Sequence, residues 1–98
     1  MPLYFITEQV TREGMMTVKE APGRAQGVVQ FASKFGVRII EFFYCTSQFD
    51  FIMKVEAADE ESVAAFVMAV RKSGNVTARF TRAYSPDEWA SLIDRIPD

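Results

Sequence analysis

Apolar positions follow two different periods along this chain. From Val37 to Ala58, two apolar-rich runs, VRIIEFFYC and DFIMKVEA, are joined by Thr46, Ser47, Gln48 and Phe49. This spacing predicts a β-hairpin in which Cys45 faces Asp50, Phe43 faces Ile52, Glu41 faces Lys54 and Ile39 faces Glu56. Successive side chains on a strand alternate between faces, so the other face collects Ile40, Phe42, Tyr44, Phe51, Met53 and Val55. That face carries no charge and is predicted to lie against helices. The first face is mixed, with the opposite-charge pair Glu41 and Lys54 set among Ile39, Phe43 and Ile52. A slip by one residue would bury both charges under the helices, so the pattern specifies its own register. A solvated sheet face reads mostly polar. A face mixing Phe43 and Ile52 with charges calls for a cover, either a second copy of the chain or a ligand.

The same reasoning extends to the flanks. Leu3 to Val10 is a strand rich in aromatic and β-branched residues. Tyr4, Ile6, Glu8 and Val10 share one side, and Leu3, Phe5, Thr7 and Gln9 the other. Both sides begin apolar, so the pattern leaves open which one faces the helices. Thr11 suits a cap, with Glu13 in the first turn of a short helical segment through Glu20. Pro22 suits the first turn of a helix over Gly23 to Phe35. Ala25, Val28, Ala32 and Phe35, with Phe31 alongside, form its apolar stripe, and Gly36 stops it. Asp59 caps a second long helix in which Val63, Phe66, Val67 and Val70 recur at helical spacing, with Gly74 as its stop. Asn75 to Tyr84 is a strand with Val76, Ala78 and Phe80 inward and Thr77, Arg79 and Thr81 on the mixed face. Ser85-Pro86-Asp87-Glu88 starts a last helix through Ile96, which carries Trp89, Leu92, Ile93 and Ile96 on one side.

The element order is therefore β-α-β-β-α-β plus a C-terminal helix. This is an α+β, ferredoxin-like fold with a four-stranded antiparallel sheet, formed as one domain over residues 1–98. Helices cover one sheet face. The open one is expected to be hidden by self-association into a homodimer or a higher homo-oligomer.

Composition narrows the function classes. The net charge is −2 and no block of like charges occurs, so neither a nucleic-acid nor a membrane partner is expected. RNA-recognition modules share this element order, but they stack bases on open-face aromatics of the third strand. Here Phe49 and Phe51 fall on the helix-covered parity, and Asp50, Ile52 and Lys54 on the open one, which argues against that class. Met1-Pro2-Leu3 leads straight into a strand and no apolar run approaches ~18 residues, so neither a signal peptide nor a membrane span is expected. A single cysteine excludes an intrachain disulfide and fits a reducing cytoplasm. The chain has no histidine, which rules out Ser-His and Cys-His nucleophiles and His-ligated metals. No cofactor and no metal are expected. Acid–base chemistry falls to Asp, Glu, Tyr, Lys or Cys45.

Several landmarks coincide with one family. Thr11-Arg12-Glu13-Gly14, Pro22-Gly23-Arg24, Glu41, Asp50 and Gly74-Asn75-Val76 resemble, in order and spacing, the GYD-domain family. The resemblance covers nearly the whole chain. It implies a small, mostly bacterial family of uncharacterised function, grouped by similarity with the dimeric α/β-barrel proteins, whose open sheets pack face to face. At the family's namesake turn this chain has Ser47, Phe49 and Asp50, so only the aspartate is kept. Ser47 must then adopt a turn geometry other than the left-handed one open to glycine, or bear strain.

Five residues are the candidate ligand-binding groups: Glu8, Glu41, Asp50, Lys54 and Arg79. Asp50 is a general base or ligand contact at the rim of the open face, or else it caps backbone N–H groups. Glu41 with Lys54 holds a polar ligand, or is a cross-strand ion pair at a subunit interface. Glu8 and Arg79 join that pair if the first strand shows its even residues to the open face. Cys45 has no cationic neighbour to activate its thiol and reads as an inert buried group. The expected function is a homo-oligomeric small-molecule-binding or assembly module with no assigned reaction. By analogy with the monooxygenases and isomerases found on related dimeric barrels, the alternative is a cofactor-independent enzyme using carboxylates on the open face.

Overall fold

A computed structural model describes residues 1–98. Strands β1 (Leu3–Val10), β2 (Arg38–Tyr44), β3 (Phe51–Glu56) and β4 (Val76–Ala83) form one antiparallel sheet in the order β2-β3-β1-β4. Helices α2 (Ala21–Ser33) and α3 (Glu60–Arg71) are the two crossovers of the split βαβ arrangement. A short helix α1 (Arg12–Met16) and a 3-10 turn (Val18–Glu20) connect β1 to α2, and α4 (Pro86–Ile93) follows β4. No helix is long and apolar enough to cross a membrane.

Three of the helices start on side-chain caps. Thr11 Oγ1 accepts from Gly14 N at 3.1 Å, and Asp59 Oδ1 from Ser62 N at 2.8 Å. The Asp59 carboxyl is held below its ordinary range by the Ser62 hydroxyl and backbone bonds. Ser85 and Glu88 form a full capping box, each side chain bonded to the other's backbone N–H. Gly36 and Gly74, at φ +74° and +79°, follow α2 and α3 in the left-handed conformation that glycine adopts without strain.

The core lies between the helices and one sheet face. Ile6, Met53, Val55, Val63 and Phe66 are almost wholly buried there, and the rings of Phe31 and Phe35 pack at a tilt against Phe66. Tyr4 and Ile6 are buried, so the even residues of β1 face the helices and Phe5 and Thr7 face the open side. In β4, Ala78 is buried and Val76 and Phe80 are half-buried, with Thr77, Arg79 and Thr81 exposed, as the pattern predicts.

The hairpin keeps its predicted register near the loop: Glu41 opposes Lys54 and Phe43 opposes Ile52, and Cys45 N donates to Asp50 O at 2.7 Å. Below Glu41 the register shifts by one, so Ile39 opposes Val55 and Arg38 opposes Glu56. This irregularity at Ile40 corrects the expected Ile39–Glu56 pairing, and it has a simple benefit. Ile39 and Phe42 both reach the helix side, while Arg38 closes on Glu56 at 2.7 Å instead of leaving that carboxylate beside an isoleucine. The Arg38 guanidinium holds the Glu56 carboxyl below its ordinary range.

Candidate functional site

The orientation of β1 divides the sequence-predicted site residues between two faces. Glu41 and Lys54 form the expected ion pair on the open face at 3.6 Å. Both side chains remain in contact with water, a setting in which such a pair is worth at most about 1 kcal/mol. Arg79 lies one strand beyond β1, in a polar groove of about 270 Å³ shared with Thr7, Gln9, Thr77 and the loop residues Gln48 and Phe49. Phe49 therefore sits on the open side, not on the helix-covered side that simple alternation assigns it. Phe43 is 57% exposed in the single chain and Ile52 half-buried. Glu8 does not join this group. It points with Tyr4 and Ile6 to the helix side, which corrects the placement that required even residues on the open face.

On the helix side Glu8 is only 7% exposed, the one charged residue buried there. Beside it, between the sheet and the helices, lies a cavity of about 290 Å³. Its sheet floor is Glu8, Val10, Phe51 and Val76, flanked by Phe42 and Tyr44. Ala25, Val28 and Phe31 of α2 form the roof. Ala69 and Val70 of α3, with Ser73 and Asn75, form the far wall, and Gly14 and Arg24 stand at the α1–α2 side. Phe42, Tyr44 and Phe51 pack as a trio with ring centroids 5.1, 5.2 and 5.9 Å apart. The Glu8 side chain has no hydrogen-bond partner in the protein, although its oxygens are not sealed from the cavity. Burial alone raises its pKa from 4.5 to about 7. Arg24 is engaged elsewhere: it donates to the Thr17 hydroxyl and carbonyl at 2.9 and 3.3 Å and pairs with Glu20 at 3.7 Å. The chemistry of the site is thus one carboxyl group, near neutrality between its acid and base forms, at the end of an aromatic pocket.

Asp50 sits between the two faces. Its Oδ2 accepts from Val10 N at 2.7 Å, and its own N–H donates to Glu8 O at 2.8 Å. The carboxylate takes up the N–H at the end of β1 that β3 no longer reaches. Asp50 is thereby a strut that fixes the backbone beside Glu8. No residue other than glycine has a positive φ, so Ser47 is accommodated by a different turn geometry, without left-handed strain.

The sequence profile of the GYD domain family matches residues 4–93. This chain belongs to the GYD domain family. A curated relative from Thermus thermophilus, named glutamine synthetase and cystathionine beta-lyase binding protein, is 30% identical over 77 residues, covering 78% of this chain and 81% of its own. The crystal structure of FFRP-DM1 superposes with a TM-score of 0.60 at 15% identity, over 86% of this chain and 100% of that one, a likeness of fold.

In this GYD domain the last helix is the least integrated element. Arg82 anchors its start: the guanidinium lies over Tyr84 at 4.3 Å and Tyr4 at 5.7 Å, donates to the Leu3 and Ala83 carbonyls, and bridges Glu88 at 3.1 Å. The Glu88 carboxyl is held below its ordinary range by the Ser85 backbone bond and by Arg82. Yet no residue of α4 is buried, and Trp89, Ile93 and Ile96 are more than half exposed. Cys45 is half-buried and free. The signal for Glu8 is present in the sequence as a lone acid on the Tyr4–Ile6 side of a strand. Only knowledge of which side the helices cover turns it into a buried carboxyl.

Proposed function

We propose that this GYD domain is a homo-oligomeric binding module that takes a small molecule in the helix-side pocket at Glu8. The observation that carries this reading is the buried Glu8 carboxyl without a protein partner at the end of an apolar cavity. The Glu8 oxygens open only onto this cavity and bond to nothing else in the protein, so a ligand seated there can supply their hydrogen bonds while burying its apolar part against the walls. A thermal-shift screen of metabolites tests it. A ligand at about a hundredfold excess over its dissociation constant stabilises the fold by about 2.7 kcal/mol and raises the midpoint by several degrees. Ala25→Phe, which fills the roof of the cavity, is expected to fold and to lose those shifts. A screen without hits, or hits that Ala25→Phe leaves unchanged, removes the pocket from consideration.

Self-association through the open sheet face is the second part of the proposal, supported by the exposure of Phe43 beside Ile52 and two ion pairs. Light scattering at micromolar concentration should find more than one chain per particle, and Phe43→Glu should return it to one. A wild-type monomer would refute this part. Two other readings keep specific support. A carboxyl poised near pH 7 suits general acid–base catalysis, so an enzyme would use Glu8 and not the open-face carboxylates. The name of the Thermus relative favours a protein partner, for which the exposed Trp89, Ile93 and Ile96 offer a surface.

A further inference from the structure

The pocket at Glu8 is chemically one-sided, and this indicates the class of ligand it takes. Of its wall residues only Glu8, Arg24 and Tyr44 carry ionisable groups. From β1 comes Glu8 itself. β3 contributes Phe51, β4 and the residue before it Val76 and Asn75, and α3 with its end Ala69, Val70 and Ser73, none of them charged. β2 brings the Tyr44 phenol and α2 brings Arg24, which is turned to Thr17 and Glu20. Asp50, just outside the wall, is committed to Val10 N. The carboxyl therefore has no counter-ion in the protein, and Phe42, Tyr44 and Phe51 stand around the same space. A buried carboxylate without a cation and a set of aromatic faces share one preferred partner, because both attract positive charge.

We propose that the pocket takes a small organic amine, its ammonium group set against the Glu8 carboxylate and its apolar body against Phe42, Tyr44 and Phe51. This rests on the pocket being the binding site and adds the charge of the ligand. A neutral hydrogen-bond acceptor would gain one bond from the protonated acid. An ammonium gains a charge-assisted bond to the carboxylate while the apolar body packs on the rings. Binding selects the ionised acid, so it releases the proton that Glu8 holds below about pH 7.

Isothermal titration calorimetry of the full chain at about pH 8 with phenethylamine, phenethyl alcohol and hydrocinnamate tests this, since the three differ mainly in charge. The amine is expected to bind roughly ten- to hundredfold more tightly than the alcohol, and the carboxylate not to bind. The amine dissociation constant should rise toward about tenfold per pH unit below about pH 7, with the protein protonated. Glu8→Gln should abolish both the preference and its pH dependence; if that variant does not fold, the wild-type series decides alone. Equal binding of amine and alcohol, preference for the carboxylate, or an undiminished amine preference in a folded Glu8→Gln overturns the inference. Should non-amines from the metabolite screen bind and be lost in Ala25→Phe, the binding-module reading stands and this one falls. If nothing binds, both fall.

Discussion

Between pH 5 and pH 8 the wild-type fold will lose about 2.5 kcal/mol of stability in urea titrations, and Glu8→Gln will not. The folded-state pKa of Glu8 is raised from 4.5 to about 7, with burial as its cause. At about 1.4 kcal/mol per pH unit the whole effect is about 3.5 kcal/mol, most of it inside that window. The sign follows from proton binding. Near neutrality the folded chain holds a proton on Glu8 that the unfolded chain has released, so raising the pH favours unfolding until Glu8 is ionised in both states. The carboxyls held below their ordinary range, Glu56, Asp59 and Glu88, act in the opposite direction. Their contribution is lost as the pH falls through their low folded-state values, mostly below pH 5, so the window isolates Glu8. The amide of Glu8→Gln keeps the shape without the charge. It should match the wild type near pH 5 and exceed it by about 2.5 kcal/mol near pH 8. A variant with the same downward slope as the wild type would show that Glu8 is not the group responsible. The same measurement bears on function, because a strongly shifted carboxyl in a cleft marks a candidate functional site.

Gly14→Ala is expected to destabilise the protein by about 3 kcal/mol, lowering the melting midpoint by roughly 15 °C. Gly14 is buried in α1, and a Cβ there would run into the Asn75 carbonyl oxygen and stand 2.8 Å from Val10 Cγ1. Neither can retreat cheaply. The Asn75 carbonyl accepts from Thr11 N at 2.9 Å, and Thr11 Oγ1 donates to Gly74 O at 2.7 Å, so helix and strand are bolted together at that point. Gly14, Val10 and Asn75 also line the pocket, so the shift that admits a methyl group distorts the cavity beside Glu8. Gly27→Ala is the matched control. Nothing lies within 4 Å of its Cβ position, and replacing a mid-helix glycine there should stabilise by up to about 1 kcal/mol. Equal effects at the two positions would show that helix propensity, and not the Asn75 contact, governs Gly14.

The two predictions concern one end of the molecule. There the pocket lies between sheet and helices, Asp50 closes the backbone, and α1 packs against Asn75 just before β4. On the helix side the pocket is lined by the small residues Gly14, Ala25 and Ala69 as well as Val28, Phe31 and Val70.

By itself the sequence determined the element order, the caps of α3 and α4, the register of the hairpin next to its loop and the inward face of β4. These follow from local chemistry: a period of two or 3.6, a serine or aspartate before a helix, and an uncharged strand face that must be covered. The Ser85–Glu88 capping box and the Glu41–Lys54 pair stand where local spacing alone places them. The tertiary structure decided the rest. Leu3 to Val10 is apolar at the start of both faces, so only packing against Val55, Met53 and Phe80 turned its even residues inward and took Glu8 away from Glu41, Lys54 and Arg79. The shift at Ile40 arose because Ile39 and Phe42 are both drawn to the core, an energy that strict alternation does not contain. The raised pKa of Glu8 comes from the surroundings that α2, α3 and the four strands build around one carboxyl. Residues as far apart as Glu8, Ala25, Phe51 and Asn75 meet only in the folded chain, and desolvation depends on where they meet.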